Sequence, residues 1–195
     1  MKSLVVYSSR TGNTRKIAEA VAEALPGCHL HPVEEAPLPE GYDLVAVGYW
    51  VDKGMPDDAA KKYMERIKNS TVALFGTLGA WPHSDHARRC MAATHKILQA
   101  GGNTVVDGFL CQGRINPQVI AATQRKGRHP MTPERRARQL EAESHPNAAD
   151  LTAARLHWQR CLQQCACGSA HMPQAPYFAT GIVPMTKPLG NNPAL

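Results

Sequence analysis

Five short apolar runs alternate with helix-forming stretches along the first 111 residues, and this alternation constrains the fold more than any other feature of the chain. The runs are SLVVY at 3–7, a segment near 28–33, DLVAVG at 43–48, TVALFG at 71–76 and NTVVDGFLC at 103–111. Strands that are apolar along their whole length are typical of a sheet covered on both faces. Strands connected through helices form parallel sheets with right-handed crossovers. The sequence therefore predicts a doubly wound α/β domain.

The remaining pattern predicts the helices and divides the chain into three parts. Helices are expected over 13–25, over 58–67 after a cap by Asp57 or Asp58, and over 85–100. After Cys111 the pattern predicts helices from Pro117 to about residue 125, from Pro133 after a Thr132 cap, and over 149–165. Residues 168–195 contain five prolines and three glycines, which disfavours regular structure and predicts an arm or a loose tail. We expect a core at 1–116, a helical extension at 117–167 and the tail at 168–195.

The net charge of +6 is concentrated in one segment. Residues 114–138 hold seven Lys and Arg against one Glu, and basic and acidic residues cancel on both sides of them. Such a segment attracts an acidic protein, an anionic small molecule or nucleic acid, or it is only a solvated helix face. The segment contains no aromatic residue, which argues against single-stranded nucleic acid as the partner.

The expectations about cellular location and metal binding rest on sequence features that are absent. The sequence contains no run of 18 apolar residues and no signal peptide at its start, so we expect a cytoplasmic protein without a membrane span. The six cysteines do not form a disulfide pattern. Cys161, Cys165 and Cys167 lie close together, but paired zinc knuckles are missing, so no metal site is assigned and a site shared by two copies stays open.

The residues Ser9-Arg10-Thr11-Gly12-Asn13-Thr14 lie where the first strand ends and the first helix begins. The free amides and the dipole of a helix amino terminus favour an anion there, and hydroxyl and amide side chains donate to phosphate oxygens. The chain has neither the G-x-x-x-x-G-K-[ST] loop nor the G-x-G-x-x-G fingerprint. A single phosphate held by neutral donors is the favoured interpretation, and an ordinary capped turn is the alternative.

Ser9-x-Thr11-Gly12-x-Thr14 resembles the [T/S]-x-T-G-x-T motif of the flavodoxin family. The resemblance implies strand order 2-1-3-4-5 over the first 115 residues or so, flavin mononucleotide (FMN) as cofactor, and a phosphate enclosed by this loop. The stretches GYWVDKG, ALFGTLGAWP, GFLCQGRI and HPMTPERRAR resemble small flavodoxin-like proteins of gut anaerobes. Some of these proteins accompany a bilirubin reductase.

The same resemblance places the loops after strands three and four on the two sides of the flavin ring. Each loop carries a tryptophan, and aromatic walls suit a flat, apolar ring. We expect Trp50 or Tyr49 against one face and Trp81 near the other. The other candidates in these loops are Val51, Asp52, Lys53, Thr77, Leu78, Gly79 and Ala80. Arg10 and Lys53 are cations, which would favour the anionic reduced flavin and raise its reduction potential.

Three functions are compatible with these expectations. The resemblance favours an FMN-binding electron carrier, or a subunit serving a reductase such as a bilirubin reductase, with segment 114–138 as the docking surface. The second is a flavin-dependent reductase that uses NAD(P)H on a quinone-like or anionic substrate, such as a tetrapyrrole carrying propionates. The third is a non-catalytic interaction protein that kept the fold. No side chain is assigned a catalytic role, and a second copy of the chain is a further candidate partner.

Overall fold

The computed structural model describes residues 1–125, 131–166 and 177–178, and within these ranges it contains seven strands and six helices. The strands are β1 (Ser3–Tyr7), β2 (His29–Pro32), β3 (Leu44–Asp52), β4 (Met55–Pro56), β5 (Thr71–Leu78), β6 (Thr104–Gln112) and β7 (Tyr177–Phe178). The helices are α1 (Asn13–Ala24), α2 (Asp58–Arg66), α3 (Asp85–Gln99), α4 (Pro117–Arg125), α5 (Pro133–Ala142) and α6 (Ala148–Ala166). All predicted helices are present, with ends that differ by a residue or two.

Six strands form one parallel sheet in the order β2-β1-β3-β5-β6-β7, and β4 pairs antiparallel with the end of β3. The five predicted strands are β1, β2, β3, β5 and β6, and their order confirms the flavodoxin-like sheet. Two strands have no counterpart among the predicted ones. Both β4 and β7 are only two residues long, and β7 lies in the segment expected to be an arm or a loose tail.

Buried side chains cover both faces of the sheet because neighbouring strand residues point in opposite directions. On one face, Tyr63, Met64 and Met91 of α2 and α3 pack against residues such as Val45. The other face packs against α1 and α6. The sheet is thus a middle layer between two helical layers. Because α1 and α3 each follow the carboxyl end of a parallel strand, their amino termini lie at that edge of the sheet.

The last long helix belongs to the core. Trp158 of α6 is 0% exposed, and its ring meets Phe75 edge to face at a centroid distance of 6.1 Å. The adjacent His157 places Nε2 2.8 Å from Oδ2 of Asp107 on β6. Leu156, two residues before Trp158, is exposed. The carboxyl-terminal extension therefore completes one side of the domain.

A register shift in β6 allows Asp107 to contact His157. Val72 pairs with Val105, whereas Ala73 pairs with Asp107, so Val106 is an extra residue in β6. The bulge places Asp107 on the face that α6 covers. In the part of the chain that the structure describes, no helix combines the length and the apolar character that crossing a membrane requires.

Candidate ligand site at the carboxyl edge of the sheet

Three loops lie side by side at one edge of the sheet. They follow β1, β3 and β5, which are neighbours and run in the same direction. The pairs Tyr7 with Gly48 and Trp50 with Thr77 bring the strand ends together. Ligands of open parallel sheets bind outside the carboxyl ends of the strands, so this edge is the candidate site.

The loop after β1 leaves the amino terminus of α1 open to an anion. Gly12 is the N-cap residue with φ 86° and ψ −10°, a left-handed conformation that glycine adopts without a steric penalty. Gly12 has no side chain that could cap α1, and the first turn of the helix carries no acidic residue. The Oγ of Ser9 accepts from the amide of Arg15 at 3.2 Å, which leaves the Ser9 hydroxyl proton available. The loop therefore presents donors and an unopposed helix dipole.

Two further residues of this loop are tied to neighbouring strands. The Nδ2 of Asn13 donates to the backbone carbonyl of Arg114 at 2.9 Å, and one N–H of that amide remains. The hydroxyls of Thr14 and Thr77 lie 2.9 Å apart, and both residues are buried. One of these hydroxyls accepts, so its own proton remains for another acceptor. The loop is therefore fixed to the ends of β5 and β6.

The two aromatic residues at the end of β3 have different environments. Trp50 is half-buried, and the Arg10 guanidinium carbon lies 5.8 Å from the centroid of its ring. Tyr49 is 0% exposed, and burial raises the pKa of its hydroxyl well above the usual range. Neighbouring residues of a strand point to opposite faces, so Tyr49 lies in the core among residues of α3 such as Met91. Of the two alternatives, only Trp50 is accessible to a ligand.

The β3–β4 turn is the polar part of this loop. Lys53 adopts φ 49°, and its side chain is 91% exposed. Its ammonium lies 4.0 Å from Oδ2 of Asp52. Val51 and Asp52 are half-buried and pair with β4. The turn thus presents Lys53 at the rim of the site.

The loop after β5 is held by the carboxyl-terminal segment. The Nε1 of Trp81 donates to Oε2 of Glu141 on α5 at 2.6 Å. A Cβ on Gly79 would lie 2.6 Å from Cγ1 of Ile115, so only glycine permits this close approach. Thr77 and Leu78 are buried, which leaves Gly79, Ala80 and Trp81 as the accessible part of this loop. Glu141 and Ile115 were not among the predicted site residues, because neither belongs to a recognisable sequence motif.

A buried carboxylate connects the first two loops. Asp57 is 3% exposed and accepts hydrogen bonds from the Ser8 hydroxyl at 2.7 Å and from the Trp50 amide at 3.3 Å. The sequence predicts Asp57 or Asp58 as a helix cap, and Asp57 does cap α2. Its contacts with Ser8 and Trp50 are additional, and no sequence pattern indicates them.

Of the cysteines that the structure describes, Cys111 and Cys161 are buried and present no accessible thiol at this edge. Cys111 is buried beside Asp150, and burial, followed by the nearby carboxylate, raises the pKa of its thiol. Cys161 is also buried. The side chain of Cys165 and all of Cys167 lie outside the described residues. Within the described ranges, no group of three metal-ligating side chains occurs.

An open cleft of about 440 Å³ lies at the opposite edge, where β3 and β5 begin. Its lining includes Glu40, Asp43, Arg66 and Lys68, so acidic and basic groups offset each other. No loop of the predicted site reaches it. The donor arrangement at the carboxyl edge is therefore the better candidate for a phosphate-bearing ligand.

Residues 4–159 match the family model described as a flavodoxin domain. This chain belongs to the flavodoxin family. A flavodoxin-like domain-containing protein BilS of Clostridioides difficile (strain CD3) is 33% identical over 170 residues, which cover 79% of this chain and 92% of that protein. A BilS of Clostridium symbiosum (strain WAL-14163) is 29% identical over 139 residues, 62% of this chain and 72% of the relative.

A solved structure of a flavodoxin from the domain Archaea shares the fold of this flavodoxin-family chain. Its TM-score is 0.52 and its sequence identity is 17%, over 85% of this chain and 99% of that one. The region that matches the family model extends into α6 and includes Trp158, in agreement with the burial of this side chain. The predicted family and fold are thereby confirmed.

Proposed function

We propose that this flavodoxin-family protein binds FMN at the carboxyl edge of its sheet and carries electrons for a reductase partner. The supporting observation is the amino terminus of α1, which has glycine as its N-cap residue and no acid in its first turn, and which lies beside two tryptophan-bearing loops. An FMN phosphate needs donors and a positive potential, and this loop offers both. The residues present therefore fit the cofactor.

In this proposal different residues of the site bind different parts of the cofactor. The phosphate is held by the hydroxyls of Ser9 and Thr11 and by the backbone amides of 12–14. Trp50 and Trp81 border the ring, with Val51, Asp52 and the 79–80 backbone along its edges. When bound, FMN supplies one- and two-electron redox chemistry, which the side chains of the protein lack. The protein binds and orients the ring and adjusts its potential.

The charges around the site support an acidic partner protein. Arg10, Lys53 and Arg114 are exposed and lie after β1, β3 and β6, and the exposed Arg136 lies on α5. Complementary charge accelerates association and orients partners. We propose that the partner reductase docks here, with the basic segment 114–138 forming part of the surface. The likeness to the companions of bilirubin reductase, and to two proteins named BilS, makes a bile-pigment reductase the first partner to test.

The experiment is a comparison of FMN and riboflavin binding, followed by reduction assays. We expect stoichiometric FMN binding, with riboflavin bound more weakly because it lacks the phosphate. Reduction of the bound flavin is then followed with NADPH alone and with a bilirubin reductase added. Electron exchange only with the reductase supports the carrier, whereas turnover with NADPH and an anionic substrate alone supports the second function. Failure to bind FMN at excess contradicts both.

A further inference from the structure

We infer that Asp57 is a positioning residue that holds the phosphate-side loop and the Trp50-bearing strand in one fixed arrangement. The inference rests on the proposed function, because it concerns how that site is kept in shape. Asp57 is 3% exposed, and its carboxylate accepts hydrogen bonds from three separate parts of the chain. Within the described ranges it forms no ion pair.

The hydrogen bonds to the Asp57 carboxylate have two roles, capping α2 and linking Ser8 to Trp50. Oδ1 accepts from the amides of Ala59 and Ala60, each at 3.2 Å, which caps α2. The same oxygen accepts from the Ser8 hydroxyl at 2.7 Å, and Oδ2 accepts from the Trp50 amide at 3.3 Å. A buried charge without a cation depends on such donors, so moving either segment away leaves it under-bonded. The carboxylate therefore resists separation of β1 from β3 at this edge.

The other helix caps show that this arrangement exceeds ordinary capping. Ser84 accepts from a single amide of α3, and Thr132 accepts from a single amide of α5. Hydroxyls are sufficient for capping. The longer, buried acidic side chain at position 57 reaches both Ser8, which follows β1, and Trp50 of β3.

The segments that Asp57 joins are the ones that border the site. Ser8 directly precedes Ser9 of the phosphate-side loop, and Trp50 lies under the Arg10 guanidinium at 5.8 Å. Because one carboxylate restrains both, ordering of one loop by the phosphate favours the ring-binding arrangement of the other. The two halves of the cofactor are then bound cooperatively.

The test separates capping from linkage. Asp57→Ser keeps a capping oxygen but is too short to reach Ser8 and Trp50, and Ser8→Ala removes the shortest of the linking hydrogen bonds. We expect Ser8→Ala to lower the ratio of FMN to riboflavin affinity by about tenfold, which corresponds to the loss of one charge-assisted hydrogen bond. Asp57→Ser should lower this ratio by at least as much, because it removes the hydrogen bonds to both Ser8 and Trp50. The double variant should lose no more than Asp57→Ser alone, because both changes remove the same link.

The matched control is Ile67→Val. Ile67 is 0% exposed at the other end of the same helix, so the change lowers stability without touching either loop. The affinity ratio should stay at the wild-type value. If Asp57→Ser behaves like this control, or if the effects of Asp57→Ser and Ser8→Ala add, the linkage is overturned.

Amide hydrogen exchange in the flavin-free protein provides a readout that does not depend on FMN. Asp57→Ser should speed exchange at the Trp50 amide and across residues 9–14, whereas exchange in the later turns of α2 stays slow. Faster exchange in both loops of a protein that binds no FMN would leave the linkage intact and reject the proposed function. Faster exchange confined to α2 would reject the linkage.

Discussion

Replacement of Trp158 by alanine tests whether the carboxyl-terminal extension is part of the folding unit. The indole is 0% exposed and packs edge to face on Phe75, and within the described residues its N–H has no hydrogen-bond partner. The alanine variant therefore loses packing contacts and no hydrogen bond. Truncation of a buried tryptophan to alanine costs about 3–5 kcal/mol, against a total stability of about 5–15 kcal/mol for a typical domain. The melting temperature should fall by roughly 10 °C.

The measurement is thermal and urea unfolding, with Leu156→Ala as the matched control. Leu156 lies on the same helix and is 48% exposed, so its truncation should change stability by less than about 0.5 kcal/mol. Trp158→Phe keeps most of the ring contact and should fall between the two. Equal unfolding midpoints for Trp158→Ala and Leu156→Ala would show that α6 contributes nothing to the core.

Three further predictions concern the site and its surroundings. Glu141→Ala removes the acceptor of the Trp81 indole, so FMN affinity should fall roughly threefold in a fluorescence titration; unchanged affinity would show that α5 does not position this loop. Arg10→Gln removes a cation beside Trp50 and should lower the two-electron potential of bound FMN by roughly 20 mV, whereas Lys68→Gln at the opposite edge should not. Burial lowers the pKa of His95 below its ordinary value of 6.5, so the unfolded chain takes up a proton that the folded chain resists. The free energy of unfolding should therefore fall as the pH drops below 6.5. His95→Gln should reduce this loss, measured by denaturant titrations at each pH. An unchanged dependence of the unfolding free energy on pH in the variant would contradict this prediction.

Local sequence patterns predicted most of the fold. The apolar runs of β1, β3 and β5 indicated strands buried on both faces, and the two helix layers confirm this. Helix caps were also predictable, since Asp57 and Thr132 both cap the helices that follow them. These features depend on residues that are close in sequence, where periodicity and capping chemistry act directly.

The site could be predicted only in outline. Strand order brings the predicted loops to one edge, but it does not decide which side chains face that edge. Tyr49 and Trp50 are adjacent in sequence, yet the strand directs Tyr49 into the core. The short strands β4 and β7 were missed because two residues carry no periodicity.

The sequence alone therefore determined the alternation of strands and helices, the family motif and the chemistry of the loop after β1, because each is encoded within a few consecutive residues. Only the tertiary structure decided that Asp57 binds Ser8, that Glu141 holds Trp81, and that α6 closes the core through Trp158. These contacts join residues that are far apart in the chain. They exist because register and helix packing bring particular side chains together, and no local pattern encodes that.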